Sequence, residues 1–569
     1  MKLKAPRYFL ALAIGVVAIV RSTSAQLSIP APGDTERNAT VSATANEITN
    51  VERARVLNDT LYSLIQGPAL VVPSLYYTKL TQQLQTINQF NNPNVTAISQ
   101  TLAAAGPYDS VESFKRGYEA LDTAGLIEVP QALDDSDEMY GTMRLRSKGY
   151  TMKLVKTGEW EDLLNDLPDA IVCEICGKPT IKSSIQSHSV FVEDFSTYGH
   201  YSDPETAAYK YTPNIVGFFC MNGKSGQFLP LAIKITDTGL TYTKHDSEGE
   251  WKLAKMALES AEFNARQLLH YVYSHEISIP IQVEMMRSMA EVHPIYALLD
   301  YHFFGNFAIE YLGGEVLFSP GTLFDNTAAY GATGFLRGAL EELSRTSVMD
   351  DFPTEIANRG LKYLPQSRYV KYGGKYYGII KKFVTSYVHA YYPSKKSIQA
   401  DQELQLWATR CSVLQGVNGF PASFEGFDDL VKVVANLVFQ NSVKHHFMNG
   451  RVTWHSQAAP FSGLALYSSP LPTEKGVTVN PLDYAVPSDL FPTVSYLVTS
   501  FYRPIPASIS ALQAYTTLPF TNEKVLEQPI AEFHLAMASI EDLIDNSEAN
   551  EKYPFTFIKP SLLPWFSFI

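Results

Sequence analysis

Five residues, widely separated along this 569-residue chain, have the side-chain types and spacing to hold one metal ion. His270 and His275 lie five positions apart, His445 and Asn449 lie four apart, and the sequence ends at Ile569. Three imidazoles, one amide oxygen and one terminal carboxylate would form a shell of nitrogen and oxygen ligands. Such a shell suits redox-active iron or manganese with a sixth position open, and the absence of a thiolate argues against structural zinc.

The spacing within each pair makes a structural demand. His445 and Asn449 would lie about 40° apart around an α-helix, so they share one face and can chelate without special backbone. His270 and His275 would lie about 140° apart on an ideal α-helix and could not share an ion. A π-bulge would bring them together, and the metal hypothesis therefore predicts that residues 266–276 depart from α geometry.

Spacing alone leaves plainer interpretations open. The chain has 12 histidines, and a single histidine on an apolar helix is usually a packing residue, as we expect for His446. The zinc-protease helix motif that would begin at His275 is absent because position 279 is isoleucine. Cys173 and Cys176 resemble half of a zinc or redox motif, but no second pair follows. One or two disulfides are expected among the four cysteines, and their pairing stays open.

Composition and charge restrict the class of protein. Hydrophobic residues make up 46% of the chain and charged residues 18%, which is typical of a globular protein with a large core. The net charge is −13 and no basic stripe is present, so a nucleic-acid partner is not expected. We expect a monomer without a stable membrane span.

The N-terminus predicts export. Residues 1–25 begin with three basic residues at positions 2, 4 and 7, followed by an apolar run at 9–20 and small residues before a cleavage site, which is typical of a secretory signal peptide; an uncleaved anchor is the alternative. Residues 26–50 are polar and predict a flexible, glycosylated leader. Glycosylation sequons begin at Asn38, Asn58 and Asn94. The protein is therefore predicted to be secreted and extracellular.

The remaining residues, 51–569, predict one large, mainly α domain. Helical periodicity dominates, and residues 184–234 contain β-branched and aromatic runs that predict a small sheet within the helical protein. A long central helix from about Glu248 to Ser278 would organise the core and carry the first histidine pair. Pro280 interrupts this pattern, which resumes until Pro294.

Several motifs in this order resemble the lipoxygenase family. The first set runs from Trp251, Lys255, His270 and His275 through Pro280 and Arg287 to His293-Pro-Ile-Tyr-Ala-Leu-Leu299 and His302. The later His445-x3-Asn449 motif and a terminal Ile569 match the family's remaining ligands. Two sequence segments look most like the secreted lipoxygenases of filamentous fungi, several of which use manganese. They are Gly313-Gly-Glu-Val-Leu-Phe and His445-His-Phe-Met-Asn449.

The resemblance implies a fold, a metal and a reaction. The fold would be the helical lipoxygenase catalytic domain without an N-terminal β-barrel. The reaction would convert fatty acids with a cis,cis-1,4-pentadiene, such as linoleic or linolenic acid, and O2 to hydroperoxides, beginning with hydrogen abstraction at a non-haem metal. The ligands would be His270, His275, His445, Asn449 and Ile569, and the fungal likeness favours manganese over iron.

Two departures and two alternative functions accompany the resemblance. Plant members have glutamines where this chain has Arg266 and where Gly450-Arg451-Val452 follow the asparagine, so the network around the metal ligands differs. The alternatives are a fatty acid hydroperoxide isomerase on the same fold and a catalytically inactive lipid-binding protein. The basic residue that would bind the substrate carboxylate cannot be chosen from the sequence.

Gly313 matches the family position linked to the site of oxygenation. That position is usually glycine or alanine, and glycine would leave space beside the substrate that a methyl group would fill. The alternative is that Gly313 only eases a helix end or a close helix crossing.

Overall fold

The computed structural model describes residues 26–31, 33–47, 74–89, 93–130, 133–146, 148–202, 209–318, 320–345, 350–414, 416–450, 457–501 and 504–567. The predicted signal peptide, Asn58 and Ile569 lie outside these residues.

The described chain is mainly helical, which confirms the predicted fold class. The α-helices before the sheet region ends are Thr35–Glu47, Ser74–Asn88, Val95–Ala105, Val111–Thr123, Asp137–Leu145, Glu161–Leu164, Asp169–Cys176 and Ile181–Gln186. Those that follow are Glu248–His270, Ser278–Ser288, Pro294–His302, Asn306–Leu312, Leu323–Thr327, Gly331–Leu343, Phe352–Asn358, Gly374–Tyr391, Lys395–Ala400, Gln402–Ser412, Phe427–Phe439, His445–Asn449, Phe491–Ser500 and Glu527–Glu548. The π-helical segments are Tyr271–Glu276, Gly313–Phe318, Tyr369–Gly373 and Gln440–Lys444.

The predicted sheet is present and is longer than its sequence pattern indicated. Its strands are β1 (Lys153–Leu154), β2 (Val190–Phe195), β4 (Ile215–Met221), β5 (Phe228–Ile235) and β6 (Leu240–Tyr242), paired antiparallel in the order β1-β2-β4-β5-β6. Two short strands, β3 (Lys210–Tyr211) and β7 (Leu466–Tyr467), form a separate pair.

Both faces of the sheet are buried, because different elements cover them. On β4, Ile215 and Phe219 belong to the main core, whereas Val216, Phe218 and Cys220 pack in a separate apolar cluster with the helix Asp169–Cys176. This explains the nearly continuous apolar run of β4 in place of simple alternation. Gly217 faces the helix Glu248–His270, where a Cβ would meet the Leu258 side chain at 2.3 Å, so glycine permits the close approach of sheet and helix.

The central helix is confirmed and is buried on all sides. It begins at Ser247, whose side chain caps the helix reciprocally with Glu250, and its α part ends at His270. A helix that contacts protein all round can organise a core larger than two packed layers usually allow. Pro280 does not end it: the chain stays helical through Ile277, and Pro280 lies in the first turn of Ser278–Ser288, where its missing N–H costs little.

The N-terminal segment differs from the predicted flexible leader. Within residues 26–50, Thr35–Glu47 form a helix, and the guanidinium of Arg37 pairs with buried Glu403 at 2.5 Å. Leu27 is buried in the main core, and the Ser28 amide donates to the carbonyl of Val292. The polar composition therefore reflects a helix that lies on the surface of the domain. Asn38 on this helix is exposed and Asn94 is half-buried.

The structure shows which two of the four cysteines form a disulfide. Cys176 and Cys220 form a disulfide, while Cys173 is exposed and Cys411 is buried, both as free thiols. The bond joins the helix Asp169–Cys176 to β4 and so cross-links the apolar cluster that covers one face of the sheet.

None of the helices in the described ranges combines the length and apolar character needed to cross a bilayer.

Candidate metal centre

The two histidines of the central helix converge because the helix changes its pitch between them. His270 is the last residue of the α segment, and Tyr271–Glu276 follow as a π-helix. The wider turn brings the His270 and His275 rings to a centroid distance of 4.9 Å, with their Nε2 atoms 3.2 Å apart. The predicted departure from α geometry is thus confirmed.

A second π-helical segment directly precedes the helix that carries His445 and Asn449. Gln440–Lys444 form a π-helix between Phe427–Phe439 and the short α-helix His445–Asn449. The Nε2 atom of His445 lies 3.2 Å from that of His275, and its ring centroid lies 4.7 Å from that of His270. His445 and Asn449 share one face of an α-helix, as their spacing predicts. The π segment before them was not predicted, because that spacing needs no bulge.

The three imidazoles fit a single cation, and Asn449 lies one helical turn after His445 on the same helix. Three nitrogens at right angles around one ion, each about 2.1 Å from it, lie about 3 Å apart, close to the two observed Nε2 separations. Hydrogen bonds between the rings could produce the same separations. They would, however, leave the Asn449 Oδ1 atom buried without a hydrogen-bond partner among the described residues. One ion bound at this cluster would give all four atoms a ligand role.

Burial sets the protonation state that metal binding needs. His270, His275, His445 and Asn449 are all buried. Burial, assisted by the neighbouring imidazole of His275, holds the pKa of His270 well below its usual value. A neutral ring keeps a lone pair available for a cation, so this ligand needs no deprotonation at neutral pH.

His446 has a different environment, as predicted. Its Nδ1 atom lies 2.5 Å from the carbonyl oxygen of Ser442, one turn earlier. Burial lowers the pKa of His446 to about 4, although the Ser442 carbonyl favours the protonated form. Its ring is thus tied to the backbone of its own helix, and it serves as a packing residue beside the centre.

Comparison with known proteins agrees with this geometry. The lipoxygenase family model matches residues 234–451, which include His270, His275, His445 and Asn449. A manganese lipoxygenase of Pyricularia oryzae is 27% identical over 432 residues, covering 71% of this chain and 67% of that protein. A manganese lipoxygenase of Fusarium oxysporum is 26% identical over 455 residues, covering 74% and 73%.

The resemblance extends beyond fungi and to solved structures. The human polyunsaturated fatty acid lipoxygenase ALOX15B is 26% identical over 417 residues, covering 69% of this chain and 60% of that protein. A solved structure of a manganese lipoxygenase matches with a TM-score of 0.80 at 21% identity, covering 96% of this chain and all of that one, which shows the fold. Residues 234–451 thus match the lipoxygenase family model, and most of the chain resembles manganese lipoxygenases.

Gly313 is buried, and its backbone conformation does not require glycine. Its φ of −58° and ψ of −48° are helical, so any residue could adopt them. Among the described side chains, a Cβ added there would meet the Phe318 ring at 3.6 and 3.7 Å, which is ordinary van der Waals contact. Phe318 in turn contacts Tyr271, the residue after His270, at a ring distance of 5.5 Å. Gly313 directly follows the α-helix Asn306–Leu312, but its helical φ does not require glycine at that helix end.

The C-terminal segment approaches the ligand helices as far as the structure describes it. His302 contacts the carbonyl oxygen of Trp565 at 2.9 Å, and Ser567 is buried with its Oγ 3.2 Å from the Asn441 Oδ1 atom. Asn441 lies one turn before His445. His302, part of the family motif in the sequence, is thus an anchor for this segment; its role could not be predicted from spacing.

Proposed function

We propose that this chain is a secreted manganese lipoxygenase that converts linoleic or linolenic acid and O2 to hydroperoxides. The convergence of three buried imidazoles and one unsatisfied amide oxygen, within the region that matches the family model, carries the proposal. The relatives named manganese lipoxygenase favour manganese over iron. Since nitrogen and hard oxygen ligands suit both metals, the donor set alone does not decide between them.

In this proposal His270, His275, His445 and Asn449 would hold the ion. When bound, the ion supplies the one-electron oxidation that accompanies removal of a hydrogen atom from the doubly allylic carbon. The side chains around it keep the His270 imidazole neutral and keep bulk water out, which protects the radical that O2 must trap. Tyr271, Phe318 and Phe335 form a contiguous aromatic group beside the centre that would border an acyl chain.

Gly313 would set the oxygenation position. The space beside Phe318 that a methyl group could occupy without clash is the space through which O2 would reach one end of the pentadiene. Glycine would leave that path open and alanine would close it.

Secretion rests on independent features. Residues 1–25 have the pattern of a signal peptide, and the sequon at Asn38 lies on an exposed helical face. The disulfide between Cys176 and Cys220 supports an oxidising compartment, because such bonds are rare in the cytosol. N-terminal sequencing of protein from the culture medium should begin near Gln26, and a glycosidase should lower its mass; intact, unglycosylated protein confined to cells would exclude secretion.

The activity test is oxygen uptake with linoleate, followed by chromatography of the products. Stoichiometric O2 consumption with hydroperoxide formation is expected. A parallel incubation with linoleate hydroperoxide separates the alternatives: consumption of the hydroperoxide without O2 uptake on linoleate would identify an isomerase, and no reaction with either would identify a lipid-binding protein.

A further inference from the structure

Arg266 lies one helical turn before His270 and has no exposed surface. Its Nη1 atom donates to the carbonyl oxygen of Met448 at 2.8 Å, and its Nε atom donates to Glu262 at 2.6 Å. We propose that Arg266 is a positioning residue for the metal centre, which fixes the helix His445–Asn449 against the central helix. This inference rests on the proposed metal role of His270, His445 and Asn449.

The accepting carbonyl lies at the point where the ligand helix ends. The helix His445–Asn449 has only five residues, and Gly450, with φ −71° and ψ −156°, leaves helical geometry. The last four carbonyls of a helix have no partner within it, and a cation near them is favourable. Met448 directly precedes Asn449, so the guanidinium fixes the peptide that carries the amide ligand. Because a helix this short has little stability of its own, its position depends on such tertiary contacts.

Arg266 is itself held by buried charges. Six ionisable groups, three basic and three acidic, lie buried between the central helix and its neighbours: Arg144, Lys148, Glu193, Glu259, Glu262 and Arg266. Glu259 contacts both Arg144 and Lys148, and Arg144 also pairs with Glu193 of β2 at 3.2 Å. Glu262 interacts electrostatically with Arg144 and Lys148.

The ion pair with Glu262 restricts the position of the Arg266 guanidinium. Moving Arg266 would remove the 2.6 Å ion-pair partner of the buried Glu262 carboxylate, which is unfavourable. The ligand helix is therefore connected through Arg266 to the central helix, and through the charge cluster to β2. Groups that support metal ligands in this way typically change metal affinity by about 10–100-fold when they are replaced.

The test compares metal release from purified full-length variants. Each protein is mixed with excess chelator, and the metal that stays bound is measured by atomic emission after desalting at successive times. Arg266→Gln should lose its metal about 10–100-fold faster than the wild type. Arg266→Lys, which keeps the charge but can reach only one partner well, should lie between them and provides a folded variant if Arg266→Gln does not accumulate.

Arg368→Gln is the matched control, since Arg368 is a largely buried arginine that pairs with Glu548 and Glu551 near the end of the helix Glu527–Glu548. It should release metal at the wild-type rate despite lower stability. Hydrogen exchange of the peptide spanning 440–450 should accelerate in both Arg266 variants and not in Arg368→Gln. Wild-type release from folded Arg266→Gln or Arg266→Lys, or equal acceleration in the control, would overturn the proposal. A wild-type protein without metal would instead contradict the proposed function.

Discussion

At the residue scale, one added methyl group at Gly313 should change the reaction outcome without disturbing the fold. The helical backbone and the 3.6 Å contact with Phe318 accommodate a Cβ. Gly313→Ala should therefore keep substantial turnover and shift the ratio of hydroperoxide isomers by about tenfold or more, equivalent to about 1–3 kcal/mol between competing barriers. Chiral chromatography of linoleate products measures this ratio. An unchanged profile in the folded variant would make the glycine purely structural.

The adjacent histidines 445 and 446 provide a matched pair of substitutions. His445→Ala removes an imidazole whose Nε2 lies 3.2 Å from that of His275, and it should abolish both metal retention and oxygen uptake. His446→Ala removes a packing ring and should cost about 2 kcal/mol of stability while the metal stays bound. Atomic emission and thermal unfolding separate the two effects. Equal metal loss in both variants would mean that the ligand assignment at this helix is wrong.

At the element scale, the π-helical segment Tyr271–Glu276 should allow one residue to be deleted from the central helix without loss of metal binding. A π-bulge amounts to one residue inserted into an α-helix. Deleting Tyr273 should restore regular α geometry, place the two histidines at i,i+4 on one face and leave Ser278–Ser288 in phase with Glu248–His270. Metal should still bind, within about tenfold of wild-type affinity.

Two variants control for this deletion. Tyr273→Ala removes the same side chain and keeps the bulge, so it reports the cost of losing the ring alone. Inserting one alanine after Tyr273 should separate the imidazoles and abolish binding. Complete metal loss in a folded deletion variant, with binding kept in Tyr273→Ala, would contradict the bulge account.

The sequence predicts an element only where the local spacing or composition of residues requires a particular backbone geometry. The bulge at 271–276 follows from the 140° mismatch between His270 and His275, and the sheet follows from its β-branched runs. The π segment at 440–444 could not be predicted, because His445 and Asn449 already share one face of a regular α-helix and their spacing needs no bulge. The partner of Arg266 and the pairing of Cys176 with Cys220, 44 residues away, arise from tertiary contacts. The helix Thr35–Glu47 is hidden by its polar composition, since a helix packed through few residues resembles a disordered segment.

At the scale of the whole molecule, Glu548 joins the end of the long C-terminal helix to the rest of the domain. Its carboxylate accepts hydrogen bonds from Arg368 at 2.8 Å, from the Tyr372 hydroxyl at 2.5 Å and from the Phe555 amide at 3.0 Å. Burial opposes ionisation, but these donors outweigh it and lower the pKa of Glu548 below its usual value of 4.5.

The sign of the pH effect follows from that lowered pKa. The contribution of Glu548 to stability is present above pH 4.5 and is lost as the pH falls through the still lower value of the folded state. Glu548→Gln should lower the unfolding free energy by about 2 kcal/mol at pH 7, and the difference from wild type should shrink below pH 4.5. Urea unfolding midpoints at pH 7 and pH 3.5 test this. A difference that grows in acid would show that the carboxylate is not stabilised as its contacts indicate.

The central claim is that the convergence of His270, His275, His445 and Asn449 forms the metal site of a manganese lipoxygenase. Its most direct test is atomic emission on the purified full-length protein, with the metal content divided by the protein concentration. The account predicts about one manganese per chain, since the cluster is a single site for one ion. One iron per chain would support the metal site but show that the metal is iron and not manganese. A folded protein that contains neither metal, and takes up neither when it is supplied, would contradict the account.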